Sequence, residues 1–549
     1  MCGIFGYWGS SLTAHQEAAV LQSLEGRGPD DNGIYRWDGS GQPLTLIHTR
    51  LAIQDLSPLG HQPMGLISED LWIVFNGEIY NQLELRRELE CSGIIFRSHS
   101  DTEVILQGFL RWREGLWERL NGIFAIAIWD GCARRLTLAR DPEGVKPLLW
   151  LRQGRSVAFA SELSAFEACG LASRSSPSAH GLESYALWGA VAAPHTLLEG
   201  VEVFPPGHWA TITNGHCHLN AFHAPVQRET LPIGGLLLQA VQRQRIGDYP
   251  VGLFLSGGLD SGLLAALMRM ATTGPIHSLS IGFVGLPGAV DETDLAELTA
   301  SSLDLDHHRV AIGADDLREA FDPFLEAIDQ PSIDGFNTFL VAREARREGM
   351  VVAFSGLGAD ELFYGYSHMA WSKESRRIAC RRIPASGLTL WRKQQLLANR
   401  CQRAGGGSAS DLECSSYLRD TLLRDTDAVT MAQGLELRVP FLDPDLSAAA
   451  RAIGREQHLR VGYKSLLLEQ AEGLLPPVVL KASKKGFNLP LAPWLSCDPR
   501  FEPFGLARSL RSLGISPGAV LRSWLIMRAT PRRWAPFWRW IVLREWLRL

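Results

Sequence analysis

The pattern of apolar residues changes character near residue 205 of this 549-residue chain. Before that point, short apolar runs such as Leu71–Phe75 and Phe124–Trp129 are bounded by turn residues, a pattern typical of antiparallel sheets. From about residue 232, apolar strands alternate with segments of helical periodicity, which indicates a parallel sheet covered by helices. Because the chain is too long for one hydrophobic core, we predict an α+β domain over residues 2–210, a linker of about twenty residues, and an α/β domain over residues 232–549.

Cys2 stands directly behind the initiator methionine. If Met1 is removed, Cys2 carries a thiol and a free α-amino group, whose ordinary pKa of about 8 leaves part of it unprotonated at neutral pH. Such a residue is a nucleophile that supplies its own general base. The alternative is a small apolar residue at an arbitrary start.

A second chemical centre opens the second half of the chain. The apolar run Pro250–Leu255 leads into the glycine-containing turn Ser256–Ser261 and then into a helical segment at Leu263–Met268. Glycines in a strand-to-helix turn let backbone N–H groups approach phosphate oxygens, and the helix N-terminus attracts negative charge. The alternative is a purely structural turn. We interpret this segment as a phosphate site.

Composition argues against several other classes of protein. A net charge of -5 leaves no basic footprint for nucleic acid. The nine cysteines are scattered, without any Cys-x-x-Cys pair, which argues against a disulfide framework or a zinc site and favours a reducing cytoplasm. No apolar run approaches the roughly 18 residues of a membrane-spanning helix. We therefore expect a cytoplasmic protein without stable membrane insertion.

Five polar motifs follow Cys2 along the chain: Arg27–Asp30, His48–Ile53, Gly60–Met64, Asn76–Asn81 and Ser100–Glu103. In this order they closely resemble the class II glutamine amidotransferases, a family of N-terminal-nucleophile hydrolases. The resemblance implies stacked antiparallel sheets flanked by helices, and a site at which Cys2 attacks the side-chain amide of glutamine. It also implies that Asn76 and the backbone amide of Gly77 form the oxyanion hole. The implied glutamine-binding residues are Arg50 at the α-carboxylate, Glu78 and Asp101 at the α-ammonium group, and Leu51, Ile53, Asn76 and Gly77.

The second half resembles the ATP pyrophosphatases, whose PP-loop matches Ser256–Ser261. Taken together, the two halves resemble the glutamine-hydrolysing asparagine synthetases of class B. The further motifs that support this resemblance are Ser355–Phe363, Thr426–Met431, Glu436–Asp443 and Lys484–Phe487. The implied ATP-binding residues are Phe254, Ser256, Gly257, Gly258, Asp260, Ser261, Ile281, Ser355 and Gly356.

The resemblance also implies the remaining parts of the second site. Asp260 and Asp360 would bind Mg²⁺, and Lys484 would stabilise charge on the reacting phosphorus. Leu357, Asp360 and Asp427 would surround an acyl-adenylate. The implied reaction converts aspartate, glutamine, ATP and water into asparagine, glutamate, AMP and pyrophosphate, with ammonia passing through an internal tunnel to a β-aspartyl-AMP. A homodimer is the assembly that we consider.

Leu357 departs from the family pattern, because many well-matched members have Glu between these glycines. A leucine can neither accept a proton nor hydrogen-bond an amine. Two alternatives follow: the position only shapes the pocket, or the acceptor is another carboxylate, such as a uronic acid or a peptide side chain. A non-catalytic scaffold is a third hypothesis, and Cys2, Asn76 and the phosphate turn Ser256–Ser261 argue against it.

Two further segments carry distinctive compositions. The stretch from Trp371 to Cys414 is locally basic and contains a run of glycines, which favours a solvated surface insertion over a docking site for an anionic partner. The tail from Trp524 to Leu549 is rich in tryptophan and arginine. Its spacing predicts an amphipathic helix that packs on the second domain, with peripheral membrane contact as the alternative.

Overall fold

The computed structural model describes residues 2–39, 41–223, 231–284, 291–370, 407–482, 489 and 491–549. Lys484 and most of the basic 371–414 segment lie outside the described residues, so the predictions made for them stay predictions. Among the described helices, none is both long enough and apolar enough to cross a membrane.

The first sheet has six strands in the order β10-β8-β9-β1-β3-β2, and every neighbouring pair is antiparallel. Cys2 is the first residue of β1 and lies opposite Arg50, the last residue of β3. The strands are β1 (Cys2–Trp8), β2 (Asp31–Trp37), β3 (Leu44–Arg50), β8 (Leu149–Gln153), β9 (Ser156–Ala160) and β10 (Val201–Val203).

The second sheet also has six antiparallel strands, in the order β12-β11-β7-β6-β5-β4. Strands β11 and β12 lie largely where the sequence predicts a linker. The linker prediction fails there because β12 is mostly exposed and polar, so it contains no apolar run that would indicate a strand. The strands are β4 (Met64–Leu66), β5 (Leu71–Ile79), β6 (Gly122–Asp130), β7 (Arg135–Arg140), β11 (His208–Thr213) and β12 (His216–Ala221).

The two antiparallel sheets pack face to face. Ile4 and Phe159 from the first sheet share a buried apolar cluster with Val74, Trp129 and Leu138 from the second. The outer faces are covered by α1 (Ala14–Leu24) and α4 (Leu163–Ala168) on the first sheet, and by α2 (Gln82–Cys91) and α3 (Asp101–Trp112) on the second. The predicted α+β fold of stacked antiparallel sheets flanked by helices is confirmed.

The third sheet is parallel throughout, with the strand order β15-β14-β13-β16-β17. Its central strands are short and buried, as expected when helices cover both faces. The strands are β13 (Val251–Phe254), β14 (His277–Phe283), β15 (Asp306–Ile312), β16 (Val352–Phe354) and β17 (Glu436–Arg438). The predicted α/β fold of the second half is also confirmed.

Helices connect and surround these strands. They are α5 (Ala179–Trp188), α6 (Ile233–Arg243), α7 (Leu259–Ala271), α8 (Thr293–Ser302), α9 (Ala314–Ala327), α10 (Phe336–Arg347), α11 (Ala359–Leu362), α12 (Ala409–Glu413), a π-helical segment (Cys414–Leu423), α13 (Arg424–Met431), α14 (Pro444–Ala452), α15 (Arg455–His458), α16 (Ser465–Ala471), α17 (Pro477–Lys481), α18 (Ala492–Cys497), α19 (Pro503–Ser509), α20 (Pro517–Ala529) and α21 (Ala535–Leu547).

The tryptophan-rich tail contains the end of α20, a short 3-10 turn at Pro531–Arg533 and α21. Most of the circumference of α21 is buried. The Trp538 ring stacks on Phe336, with ring centroids 5.7 Å apart. The helix also contacts the first half of the chain, where the Tyr185 hydroxyl donates to the Arg539 carbonyl at 2.7 Å. The helical character of the tail is as predicted, but a single amphipathic helix is wrong: a turn at Pro531–Arg533 separates two helices, α21 packs against both halves, and its aromatic residues are core rather than a one-sided apolar face.

Candidate active sites in the two halves

Antiparallel pairing brings Cys2 to the candidate glutaminase site. Cys2 is buried, and its backbone N–H donates to Asn76 Oδ1 at 3.0 Å. Burial raises the pKa of the Cys2 thiol, while the positive amino terminus, the backbone N–H of Leu51 and Arg50 act in the opposite direction. Burial thus favours the neutral thiol, and these three groups would stabilise the thiolate once the sulfur loses its proton.

Asn76 and Gly77 lie next to each other on β5, and Asn76 contacts the backbone of Cys2. Because Asn76 Oδ1 accepts from Cys2, its Nδ2 is the free end of the amide, and this buried atom has no hydrogen-bond partner among the described residues. Gly77 adopts a φ of +155°, and a Cβ there would lie 2.1 Å from the Ile123 carbonyl oxygen, so only glycine fits. An unpartnered buried donor next to a nucleophile is suited to stabilising a developing oxyanion.

The Arg50 guanidinium organises the loop that follows β3. It donates to the backbone carbonyls of Ser57 at 3.1 Å, Gln54 at 3.2 Å and Asp55. Leu51 and Ile53, which come directly after the strand, are buried beside it. This network fixes a cation close to the thiol, where a substrate carboxylate could pair with it.

Two buried carboxylates complete this site. Asp101 Oδ2 accepts the backbone N–H of Ile79 at 3.0 Å, and burial raises the Asp101 pKa to about 6. Burial and the neighbouring Glu436 raise the pKa of Glu78 well above its ordinary value. The structure brings Cys2, Asn76 and Glu78 into one region, but the roles predicted for these residues stay predictions.

The predicted phosphate loop lies between β13 and α7. Gly257 has a φ of +77°, and a Cβ there would come within 2.5 Å of the Glu292 carbonyl oxygen, so a glycine is required. The hydroxyls of Ser256 and Ser261 lie 3.0 Å apart, which ties the start of the turn to the first turn of the helix. Ser256 is exposed, so the turn is open to a ligand.

Lys464, which the sequence analysis did not single out, stands at the centre of the second site. Its Nζ lies 2.5 Å from Asp260 Oδ2 and 2.5 Å from Asp360 Oδ1. Burial opposes the charge of this lysine, but the two carboxylates outweigh burial and raise its pKa. Gly365 makes room for the cluster, since a Cβ there would lie 2.3 Å from Lys464 Cε. The only local signal is a lysine just before an apolar helix, in a chain where lysine is rare.

The same two carboxylates are those predicted to bind Mg²⁺. Mg²⁺ is commonly held by one or two carboxylates together with substrate phosphates, and Asp260 and Asp360 already share one cation beside the phosphate loop. The donor set therefore fits the ion. In the part of the chain that the structure describes, no group of three or more His, Cys, Asp or Glu side chains could hold a metal by itself.

The remaining predicted ATP contacts lie at the carboxyl ends of the parallel strands. Phe254 is the last residue of β13, Ile281 lies near the end of β14, and Ser355 and Gly356 directly follow β16. The Leu357 backbone N–H donates to Ser355 Oγ at 3.3 Å, while its side chain packs against two apolar clusters. Open parallel sheets bind ligands at this edge.

Asp427 occupies a different environment from Asp260 and Asp360. Its Oδ1 accepts from Lys146 Nζ at 3.0 Å, and its Oδ2 pairs with Arg27 at 2.7 Å. The Arg27 Nε in turn donates to the Cys2 carbonyl at 3.1 Å. Asp427 thus joins the second half to the strand of the nucleophile, and its predicted contact with an acyl-adenylate stays a prediction.

Comparison with known proteins assigns both halves. The glutamine amidotransferase domain family matches residues 1–223, and the asparagine synthase family matches residues 233–548. The chain belongs to the asparagine synthase family. A relative from Bacillus subtilis (strain 168), asparagine synthetase [glutamine-hydrolyzing] 1, is 30% identical over 90% of this chain and 88% of its own length.

Other relatives of this family member agree. A putative asparagine synthetase [glutamine-hydrolyzing] from Mycobacterium bovis is 30% identical over 91% of this chain and 89% of its own length. Among solved structures, a glutamine phosphoribosylpyrophosphate amidotransferase from B. subtilis matches at 18% identity over 66% of this chain and 77% of that chain. The TM-score of this match is 0.31.

Membership establishes the general activity. This member of the asparagine synthase family, which uses ATP, is a glutamine-hydrolysing ligase that forms amides. The prediction of an enzyme with an N-terminal-nucleophile fold and a glutamine amidotransferase domain is confirmed at this level.

Proposed function

We propose that this enzyme converts aspartate, glutamine, ATP and water into asparagine, glutamate, AMP and pyrophosphate through a β-aspartyl-AMP intermediate. The observation that carries the proposal is the cluster of Lys464, Asp260 and Asp360 beside the phosphate loop, in a chain that also holds a nucleophile with a free amide donor. The first arrangement suits adenylation and the second suits release of ammonia.

In the first half, Cys2 is the nucleophile and its α-amine, freed when Met1 is removed, is the base. The sulfur attacks the glutamine amide carbon, and the tetrahedral oxyanion receives hydrogen bonds from Asn76 Nδ2 and the Gly77 N–H. Ammonia then leaves, and water hydrolyses the thioester to glutamate. The substrate α-carboxylate pairs with Arg50, and Glu78 and Asp101 hold its α-ammonium group.

In the second half, the carboxylate of aspartate attacks the α-phosphorus of ATP and pyrophosphate leaves. The ATP phosphates lie against residues 256–261, and the adenine and ribose lie against Phe254, Ile281, Ser355 and Gly356. Lys464 neutralises charge that develops where pyrophosphate leaves, and Lys484 is proposed to act on the same charge. Mg²⁺, when held by Asp260 and Asp360, would supply further charge compensation to the phosphates.

Ammonia from the first half, which we propose travels through the protein interior, then attacks the acyl carbon of the adenylate. The acyl C–O bond breaks, AMP leaves, and the nitrogen loses a proton to give the amide. Leu357, Asp360 and Asp427 are the residues proposed to surround this intermediate. The proposed folding units are the predicted residues 2–210 and 232–549, with β11 and β12 extending the first unit to residue 221. A homodimer in the cytoplasm is the proposed assembly, and light scattering of the purified protein tests the oligomeric state.

The experiment that tests the reaction is isotope exchange between pyrophosphate and ATP across a panel of carboxylates. The proposal expects exchange with aspartate and little with uronic acids or peptides. Asp260→Ala should abolish exchange while glutamine hydrolysis remains measurable. Near-normal exchange by a folded Asp260→Ala variant would show that the phosphates bind elsewhere.

The apolar side chain of Leu357 favours a second candidate, the same mechanism acting on a different carboxylate. Leu357 offers no proton acceptor at a position where many members of the family carry Glu, and its partly buried side chain packs against two apolar clusters. Leu357→Glu separates the two candidates. A gain in asparagine formation supports aspartate as the native acceptor, whereas no change or a loss favours another carboxylate.

A further inference from the structure

Arg438 lies at the seam between the two halves and is completely buried. Its Nε donates to Glu436 Oε1 at 2.5 Å, within the same short strand β17. Its NH1 donates to the carbonyls of Gln244 and Ile246 at 2.6 and 2.5 Å. These contacts fix the guanidinium in one orientation within the second half.

The remaining nitrogen of Arg438 faces the glutaminase site. NH2 lies 3.5 Å from Glu78 Oε1, and it makes no hydrogen bond with the described residues. The Glu78 side chain is only 5% exposed, so water cannot stabilise its charge. A buried carboxylate in this position depends on a nearby cation to remain ionised.

The backbone around Arg438 touches both candidate sites. Its carbonyl accepts the N–H of Ser355, at the nucleotide edge, at 3.0 Å. In the 244–248 segment, the Asp248 N–H donates to the carbonyl of Ile53, in the loop after β3, at 2.9 Å. Gly247 allows this approach, because a Cβ there would lie 3.2 Å from Ile53 Cγ2. Arg438 is therefore held by elements that contact both reaction centres.

We propose that Arg438 is a positioning residue for glutamine, contributed by the synthetase half, which keeps Glu78 negatively charged toward the α-ammonium group of the substrate. The inference deepens the glutaminase half of the proposed function and rests on it. It makes the glutamine site incomplete without the second half, since the cation that balances Glu78 comes from β17.

The sign of the pH dependence follows from the groups around Glu78. Burial, Glu436 and Asp101 raise its pKa, whereas Arg438 and the positive amino terminus lower it. Cys2 and Tyr80 are further titratable groups within electrostatic reach of Glu78. Removal of Arg438 should raise the Glu78 pKa further, so more of this carboxyl is neutral at pH 7 and the charge returns as the pH rises.

The test is glutamine hydrolysis by the full chain without ATP or acceptor. For Arg438→Met we expect KM for glutamine to rise about 10- to 100-fold at pH 7. This is the effect of losing the charged hydrogen bond between the substrate α-ammonium group and Glu78, once Glu78 is neutral. The turnover number should change little, and the excess in KM should shrink as the pH is raised to about 9. Arg438→Lys, which keeps the charge, should retain most of the affinity.

Matched variants separate positioning from packing. Arg243, whose side chain is 12% exposed, also pairs with two carboxylates, Asp443 and Asp445, but these belong to its own half, so Arg243→Met should leave KM unchanged. Arg438→Gln keeps amide donors for the carbonyls and serves if the Met variant does not fold. Glu78→Gln should raise KM by itself, and adding Arg438→Met to it should raise KM no further.

The outcomes for the inference and the proposed function are distinguishable. An unchanged KM in folded Arg438→Met and Arg438→Gln variants, or a rise that is the same at every pH, overturns the inference alone. Absence of glutamine hydrolysis by the unaltered protein after Met1 removal overturns the glutaminase half of the proposed function, and the inference with it.

Discussion

In the first half, the hydrogen bond that holds the Asn76 side chain in place leaves its amide nitrogen without a partner among the described residues. The amide is oriented because its oxygen accepts from the Cys2 backbone, and the nitrogen at its other end is buried. Leaving a buried donor unpaired costs about 1–3 kcal/mol. A donor left in this state next to a nucleophile is best explained by a negative charge that forms during the reaction.

Asn76→Ala tests that explanation. We expect the turnover number for glutamine hydrolysis to fall about 100- to 1,000-fold, as when one oxyanion donor is removed. Ammonium-dependent amide formation should remain near normal, because the second half is untouched. Asn32→Ala, at an exposed position of β2, is the control and should behave as the unaltered protein. A loss of less than about threefold would assign the stabilising role to other groups.

Removal of the nucleophile by Cys2→Ala should separate the glutamine-dependent reaction from the ammonium-dependent one. Glutamine-dependent synthesis should disappear, because no other nucleophile is proposed, while synthesis from ammonium salts should survive. The measurement is pyrophosphate release with either nitrogen donor. Loss of both activities in a folded variant would contradict the division of labour between the halves.

At the scale of elements, the second site is assembled from segments that are far apart in the chain. Asp260 comes from the first turn of α7, Asp360 from α11, and Lys464 from the residue before α16. The carboxyl ends of parallel strands bring the first two to one edge. Lys464 then balances both carboxylates, with a φ of +56° that holds its backbone in the left-handed region.

Lys464→Met should therefore impair adenylation strongly. We expect pyrophosphate release with saturating ammonium to fall by at least about 100-fold, because a fixed cation at developing charge is worth several kcal/mol. Glutamine hydrolysis should remain measurable. Arg460→Met removes a nearby basic side chain that is 64% exposed, and this control should leave pyrophosphate release unchanged. Equal activity of the two variants would rule out the role of Lys464.

At the scale of the whole molecule, buried ion pairs join the two halves. Glu143 pairs with Arg451 at 2.7 Å and with Arg419 at 3.2 Å, while Asp427 pairs with Lys146 and Arg27. Burial opposes the charge of Glu143, but Arg451 and Arg419 outweigh burial and lower its pKa to about 2. The stability that Glu143 contributes is therefore present above its ordinary pKa and is lost as the pH falls through about 2.

Glu143→Gln tests this linkage. At pH 7 the variant should lose on the order of 3 kcal/mol, and its midpoint of thermal unfolding should drop by a few degrees. The difference from the unaltered protein should shrink to roughly half or less at pH 3, because the unfolded chain then binds a proton at Glu143 whereas most of the folded protein still does not. Glu88→Gln breaks only an exposed pair with Arg119 and should have little effect. A difference that stays constant with pH would contradict the assignment.

The sequence by itself determined the fold class of each half and the general chemistry. These features have local signals: alternating apolar runs for antiparallel strands, buried runs followed by helices for the parallel sheet, and a glycine turn between β13 and α7. Cys2 is evident from its position in the chain. The phosphate turn could likewise be recognised, because neighbouring residues alone decide whether a backbone can bend in that way.

Only the tertiary structure decided which charges meet. The partners of Lys464, the contacts of Asp427 and the approach of Arg438 to Glu78 join residues that are separated by about one hundred to several hundred positions. The burial of α21 against both halves likewise could not be predicted from the sequence. Long-range pairs leave no periodic pattern in one sequence, because the distance between two side chains depends on how all the intervening elements pack.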